Sequence, residues 1–190
     1  PLFVKPSREG TGMGVTAKSI VHNKQDLRDQ LEIILKRYQQ PALVEEYIDG
    51  REFTVLVCGN PDGKTCTSFT PVEYIFPEGF AFKTYALKTS ELHTDVNKPC
   101  ENAEVEAKLK SAAEKIFNGF SGVGYARLDF RVDKDLEVYF LEINFTCSVF
   151  YEDGYEGSAD YILNFDPIGK AGFLKHVIAE GIARHESKQR

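Results

Sequence analysis

The segment Tyr125–Asp133 constrains this chain more than any other stretch, because it alternates strictly. Ala126, Leu128, Phe130 and Val132 fall on one face of an extended strand, and Arg127, Asp129 and Arg131 fall on the other. Such a strand sets its apolar face on a core and carries its charges on the opposite face. Glu137–Asn144 follows closely and reads as its hairpin partner. With Lys134–Glu137 closing the hairpin, Asp129 falls opposite Glu142 and Arg127 opposite Asn144. Period two keeps Glu142 and Asn144 on one face. Two carboxylates, an amide and a guanidinium therefore converge at one end of the hairpin.

Carboxylates at that spacing repel unless a cation or a proton lies between them. Oxygen donors of this kind suit Mg2+ or Mn2+, with nucleotide phosphates and waters completing an octahedron. The other reading is a surface hairpin whose outer face carries cross-strand charge pairs. Leu141 and Ile143, which flank Glu142, point to a buried strand end and so toward the metal.

The remaining elements alternate between helical and extended periods, which gives an α+β chain. Leu2–Lys5 reads as a strand that Pro6 stops, and Val15–Val21 as a second strand. Asn23 caps a helix over Lys24–Tyr38, with Leu27, Leu31, Ile34, Leu35 and Tyr38 on one face. Ala42–Glu46, Glu52–Cys58 and Thr65–Tyr74 read as strands, the last two joined by the turn at Asn60–Gly63. Ile75–Lys98 has no periodicity, and a loop of that length is expected to act as a lid. Helices follow over Ala103–Phe117 and Lys170–Arg184, with an irregular stretch at Phe145–Asp166 that turns helical after Ser158.

The 190 residues suffice for a core without disulfides or structural metal. A net charge of −6 and the lack of a basic run interleaved with aromatics argue against a nucleic-acid partner. Cys58, Cys66, Cys100 and Cys147 form no zinc spacing and read as free thiols of a reducing, cytoplasmic compartment. No apolar run approaches the ~18 residues of a membrane span. The chain opens inside a strand, so a preceding region of the parent protein is expected.

Two weaker signals accompany the hairpin. Gly10, Gly12 and Gly14 sit in Ser7–Gly14, where backbone N–H groups can approach a phosphate and Lys5 stands at the strand end before them. The spacing matches neither a Walker A loop nor a Rossmann turn, and a flexible hairpin connection is the alternative. Glu45 and Glu52 flank the bend at Tyr47–Arg51, where a carboxylate can accept from an adenine amino group or from ribose hydroxyls. Two solvated glutamates at a turn are the bland alternative.

Taken together, Phe3–Gly10, Leu43–Val55 and Gly124–Asn144 resemble, in order, the catalytic C-terminal part of the D-alanine–D-alanine ligases of the ATP-grasp superfamily. The resemblance implies two α+β subdomains whose antiparallel sheets grip ATP. It puts the smaller, nucleotide-gripping one at about residues 15–75, and the metal and substrate one at about 76–190 with strand 1–14. It assigns Lys5 and the loop of Gly10, Gly12 and Gly14 to the phosphates. Glu45 goes to the adenine amino group, the Ile48 backbone to the ring edge, and Glu52 to the ribose. Lys88 matches the lysine of the mobile lid, and Asp129, Glu142 and Asn144 match the Mg2+ ligands. Arg127 matches the arginine at the reaction centre.

The implied chemistry joins a carboxylate to an amine, both expected to come from amino acids, through an acylphosphate formed with ATP. A non-catalytic ATP-grasp module and a small-molecule kinase are the other readings. The sequence departs from the family after Asn144, where Thr-x-Pro-Gly gives way to Phe145–Phe150 and an acidic, aromatic insert at Tyr151–Tyr155. The acceptor carboxylate is expected at the helix start near Ser158, read as an N-cap, with Tyr151 or Tyr155 shaping the pocket. The family's N-terminal domain lies outside this sequence. Cys147 reads as a packed thiol, and His22, His93, His176 and His185 have no ligand spacing.

Overall fold

The computed structural model describes all residues except 11, 77, 79–81, 83–95, 146 and 190. The fold is α+β, and the strand pairs among the described residues are antiparallel. The chain divides into two units. One is Pro1–Asp49 with the described part of Phe76–Asp95, and the other is Gly50–Ile75 with Val96–Arg190.

The smaller unit is a three-stranded sheet backed by one helix. Its strands are β1 (Leu2–Pro6), β2 (Ile20–Val21) and β3 (Ala42–Glu46), in the order β2-β1-β3. Helix α1 (Lys24–Tyr38) starts where the Asn23 side-chain oxygen accepts from the N–H groups of Gln25 and Asp26, at 2.9 and 3.0 Å. It ends at Gln39 in the left-handed conformation, φ 52°. Leu27, Leu31 and Ile34 bring its apolar stripe onto Val4, Val21 and Ala42.

Only Ile20–Val21 of the expected second strand is extended. Ahead of it, the Thr16 hydroxyl accepts from Lys18 N–H and Ser19 Oγ accepts from Thr16 N–H, which closes a 3-10 turn at Ala17–Ser19. Local hydroxyl bonds of this kind compete with a strand ladder.

The larger unit is a six-stranded sheet. Strands β4 (Arg51–Gly59), β6 (Val72–Tyr74), β7 (Asn97–Pro99), β8 (Tyr125–Val132) and β9 (Val138–Asn144) lie in the order β7-β6-β4-β8-β9. Strand β5 (Cys66–Ser68) pairs with the Val57–Gly59 end of β4. The single strand expected over Thr65–Tyr74 is thus two, separated by a stretch ending in Pro71, whose nitrogen cannot donate to a ladder. Within the expected loop Ile75–Lys98, Ile75 N–H donates to Val96 O and β7 begins at Asn97. Most of the rest of that segment, Lys88 included, lies outside the described residues.

The pairing also redraws the subdomain boundaries. Strand β1, expected with the metal-binding part, pairs with β3 from Leu2↔Glu46 to Pro6↔Ala42 and belongs to the smaller unit. Residues 50–75, expected in the nucleotide-gripping part, belong to the larger unit because β4 pairs along its length with β8. Strands β3 and β4 are close in sequence, but hydrogen-bond register puts them in different sheets.

One face of the large sheet is covered by helix α2 (Ala103–Gly119), capped by the Asn102 side chain on the N–H groups of Glu104 and Val105. Val105, Leu109, Ala113 and Phe117 recur every four residues and pack on Phe53, Val55 and Val57 of β4 and on the even-numbered residues 126–132 of β8. Burying each Leu or Phe there contributes roughly 1.5–3 kcal/mol. On the opposite face, Leu56 and Cys58 meet Ala159, Ile162 and Leu163 of helix α3 (Ser158–Phe165) and Phe173 of α4 (Gly169–Ser187). Helices α3 and α4 thus pack with the Leu56–Cys58 end of β4 on that second face. Farther along β4, the residues on that face are Thr54 and Glu52.

Candidate functional site

Those residues open a grid of polar side chains on one face of β4, β8 and β9. In the first row Glu52 lies opposite Arg131, which in turn lies opposite Tyr139. The second row is Thr54, Asp129 and Glu142, and the third is Leu56, Arg127 and Asn144. The expected pairs Asp129↔Glu142 and Arg127↔Asn144 are both present. Glu52 is 7% exposed, so it is not a solvated turn glutamate. Arg131 Nη2 donates to Gly50 O at 3.1 Å. Gly50 also lets the Val132 carbonyl come close, since a Cβ there would lie 2.2 Å from Val132 O.

The register arises differently from the sequence reading. The hairpin loop is Asp133–Glu137, closed by Asp133 N–H to Glu137 O and by Leu136 in the left-handed region at φ 61°. The ladder then runs Val132↔Val138 to Phe130↔Phe140, which would set Asp129 against Leu141. A bulge at Leu141 shifts it, so that Asp129 meets Glu142. Before the bulge Val138 packs toward the α2 core, and after it Ile143 does. The extra residue is what turns Glu142 and Asn144 onto the face of Asp129.

Arg127 holds both oxygens of Asp129, with Nε to Oδ1 at 3.1 Å and Nη2 to Oδ2 at 3.0 Å. The same Nη2 stands 3.9 Å from Glu142 Oε1. Burial alone would lower the pKa of this guanidinium. The charge and hydrogen bonds of Asp129 outweigh that, with help from Glu142, and hold it above its ordinary value. Arg127 therefore stays charged and is itself the cation between the two carboxylates. Asn144 Nδ2 reaches Glu142 Oε1 at 3.4 Å. Cys147 is a buried free thiol whose pKa burial pushes up, so it stays protonated and inert, as expected of a packed cysteine.

The residues fit a hard divalent cation. Asp129, Glu142 and Asn144 supply oxygen donors on one face, and the Glu142 side chain is half exposed to receive a ligand. Among the described residues no group of three or more His, Cys, Asp or Glu stands together. A cation here would thus take its remaining ligands from phosphate oxygens and water. Beside Asp129 in the grid, Thr54 is 2% exposed and its Oγ1 has no hydrogen-bond partner among the described residues.

In the smaller unit Lys5 Nζ pairs with Glu45 Oε2 at 2.8 Å, diagonally across β1 and β3. Both side chains are part exposed, and such a pair is worth about 0–1 kcal/mol, so either partner can be redirected cheaply. In the glycine loop Met13 N–H donates to Gly10 O and Val15 N–H to Gly12 O, with Gly12 and Gly14 at φ 76° and 82°. Gly14 also lets Pro6 close in, since a Cβ would lie 2.5 Å from its ring. Ile48 lies between β3 and β4 and is half-buried.

Ser158 is not an N-cap. Gly157 caps α3, and Ser158 is the first helical residue. The polar anchor is Asp160, fully buried, whose Oδ1 accepts from Phe150 N–H at 2.8 Å and Oδ2 from Gly157 N–H at 3.1 Å. Lys170 Nζ stands 3.5 Å from Oδ1. Tyr151 lies against Gly157, where a Cβ would come within 3.1 Å of its ring. Tyr155 is exposed. An acid at the third helical position, accepting from the cap residue, was the signal for Asp160 in the sequence.

Comparison with known proteins bears on the whole chain. The model of the "D-ala D-ala ligase C-terminus" family matches residues 1–149, and so ends ahead of the Tyr151–Tyr155 insert. The D-alanine–D-alanine ligase of Acetivibrio thermocellus is 37% identical over 148 residues, covering 76% of this chain and 36% of that protein. D-alanine–D-alanine ligase A of Mesorhizobium japonicum is 31% identical over 190 residues, covering 99% of this chain and 51% of its own length. The chain thus spans about a third to a half of these relatives. The structure of D-alanine–D-alanine ligase from Bacillus anthracis complexed with ATP is similar at a TM-score of 0.68 and 22% identity, over 98% of this chain and 54% of that one. That likeness establishes the ATP-grasp fold.

Proposed function

The chain belongs to the D-alanine–D-alanine ligase C-terminal family, and from that premise we propose that it binds ATP with Mg2+ and joins a carboxylate to an amine. The observation that carries the reading is the row of Asp129 and Glu142 beside Arg127 and Asn144 on one sheet face. A binding-only module has no need to keep all four.

In this reading Asp129, Glu142 and Asn144 hold the metal, which supplies charge neutralisation for phosphoryl transfer when bound. Lys5 leaves Glu45 for a phosphate oxygen, and the turns at Gly10, Gly12 and Gly14 border the phosphates. Glu45 then accepts from the adenine amino group, the Ile48 backbone meets the ring edge, and Glu52 accepts from the ribose. Lys88 joins the phosphate contacts on the resemblance alone. A substrate carboxylate oxygen attacks the γ-phosphorus, and ADP leaves. The amine attacks the resulting acylphosphate carbon, the C–O bond to phosphate breaks, and the amide forms with loss of a proton. Arg127, charged throughout, stabilises the oxyanion of that addition.

The acceptor's carboxylate is assigned to the start of α3 at Ser158, beside Tyr151. Amino acids are the substrate class proposed. The departure from Thr-x-Pro-Gly after Asn144 leaves D-alanine without special support. The test is phosphate release from ATP and Mg2+ in the presence of paired amino acids. Release that requires both a carboxylate and an amine donor, with a dipeptide in the products, is expected. ADP formation that needs no amine, releases no phosphate and yields a phosphorylated acceptor would make the protein a kinase instead.

A further inference from the structure

A cavity of about 530 Å3 opens where β4 ends, between the turn at residues 60–65, the C-terminal end of α2 and the last turns of α4. At roughly 3.4 Å per residue, its Gly59 wall lies about 17 Å along β4 from the row of Thr54 and Asp129. The cavity is therefore no part of the polar grid, and its volume falls in the range of small-molecule sites. Its charges are sorted by sign. Glu180 lines it and is only 6% exposed. Its Oε1 accepts from Arg184 Nε at 3.1 Å, while Oε2 makes no hydrogen bond among the described residues. Helix α2 ends at the same cavity without a basic residue in its last turn, so the negative end of its dipole has no cation of its own. Arg184 gives only Nε to Glu180, and its two Nη groups have no partner among the described residues. The Lys64 ammonium makes no ion pair there either, because the neighbouring Asp62 is occupied by the N–H groups of Lys64 and Thr65 and by the Thr65 hydroxyl.

We propose that this cavity is a binding site for a free α-amino acid, with its ammonium on Glu180 and its carboxylate on Arg184. A carboxylate this buried, held through one oxygen only, is left short of a donor, and an ammonium supplies donors and the opposite charge together. The ammonium and carboxylate of an α-amino acid share one carbon, so neighbouring side chains must receive them. Glu180 and Arg184 stand one helical turn apart and already touch. The free Nη groups form the planar donor fork that suits a carboxylate, and Lys64 on the facing turn adds a second positive charge. A plain amine would leave Arg184 and Lys64 unused, and a plain carboxylate would meet the charge of Glu180. Only a molecule with both charges on adjacent atoms satisfies both walls. An exposed glutamate–arginine pair of the same spacing would be an ordinary helix-surface contact; the burial of Glu180 and the volume in front of it set this pair apart. The site does not depend on the ATP and metal reading of the grid.

The experiment titrates the 15N-labelled chain and its Glu180→Gln variant with glycine, D-alanine, L-leucine and L-phenylalanine, and follows backbone amides by nuclear magnetic resonance. Each titration is repeated with the N-acetyl amino acid and with the corresponding primary amine. At least one amino acid is expected to move the amides of Lys64, Thr65 and Gly122 in the parent. Acetylation, or loss of the carboxylate, is expected to weaken that binding at least about tenfold, because each removes a charge-assisted hydrogen bond. Glu180→Gln keeps an acceptor for Arg184 Nε and is expected to lose as much. No movement of those amides with any of the four at about 10 mM, tenfold above a millimolar Kd, overturns the proposal. Movement confined to Asp129 and Glu142 places the amino acid in the polar grid and overturns it too. So does equal binding of an amino acid and its N-acetyl form, or a Glu180→Gln chain that binds as the parent does. If Glu180→Gln does not fold, the acetylated and decarboxylated probes on the parent decide the matter alone.

Discussion

Asp160 offers the sharpest test of how the segment after β9 is held. Its carboxylate is fully buried and ties together the two sides of the Tyr151–Tyr155 insert, accepting from Phe150 N–H and Gly157 N–H. Phe150 itself stands at φ 64°, a conformation that a bulky side chain adopts only when its surroundings impose it. Asp160→Ala removes two hydrogen bonds to a charged acceptor, each worth about 1.5–3 kcal/mol. It also leaves Lys170 without its partner, but that ammonium is part exposed and adds little. The expected loss is about 3–6 kcal/mol, against a total stability of about 5–15. For a chain of this size each kcal/mol moves the melting temperature by roughly 2–4 °C, so Asp160→Ala should melt about 6–24 °C lower. Asp160→Asn keeps one acceptor and should lose about half as much. Thermal unfolding followed by circular dichroism gives the number, and hydrogen exchange at Phe150 and Gly157 gives the location. An alanine variant that melts within about 2 °C of the parent would show that the two N–H groups find equal partners elsewhere, and the clamp would be no clamp.

Glu142→Gln should weaken Mg2+–ATP binding by tenfold or more, since it removes a charge and leaves a half-exposed amide; calorimetry giving equal affinities would refute the metal assignment. Ser158→Ala should leave the melting temperature within about 1 °C, because Gly157 rather than Ser158 caps α3. If Ser158 binds the acceptor carboxylate, the same variant in the full-length parent should raise KM for the amine at unchanged ATP affinity, and unchanged KM would remove Ser158 from the site.

Much of this was legible in the sequence, and the reason is periodicity. The strict alternation of Tyr125–Asp133 located β8 and its two faces, and Asn23 stood ahead of a helical stripe that begins where that cap places it. What local pattern cannot encode is pairing between distant strands. Strand β3 and strand β4 are close in sequence yet pair with β1 and β8, so the subdomain boundaries drawn along the chain were wrong. Thr16 and Ser19 replaced part of an expected strand with a turn through bonds that a hydropathy pattern does not register. Ser158 looked like a cap because serine favours that position, but glycine took it and Asp160 satisfied the backbone instead. Thr54 gave no signal at all, since threonine is an ordinary strand residue.

The bulge at Leu141 shows how an error in loop length and an unseen irregularity can still give a correct pairing. A four-residue closure with a regular ladder and a five-residue closure with one extra residue both bring Glu142 to Asp129. They differ in what happens on either side. With a regular ladder, the side of β9 that carries Glu142 and Asn144 would be continuous back to the hairpin turn. With the bulge, Val138 and Phe140 share a face with Phe130 and Val132, while Glu142 and Asn144 share the face of Asp129. The strand near the turn contributes to the core, and its end is freed for chemistry. An apolar and a polar requirement are thus met by one short strand, at the expense of a single unpaired residue. Bulges gather beside active sites for this reason: they re-aim side chains without changing the fold that carries them.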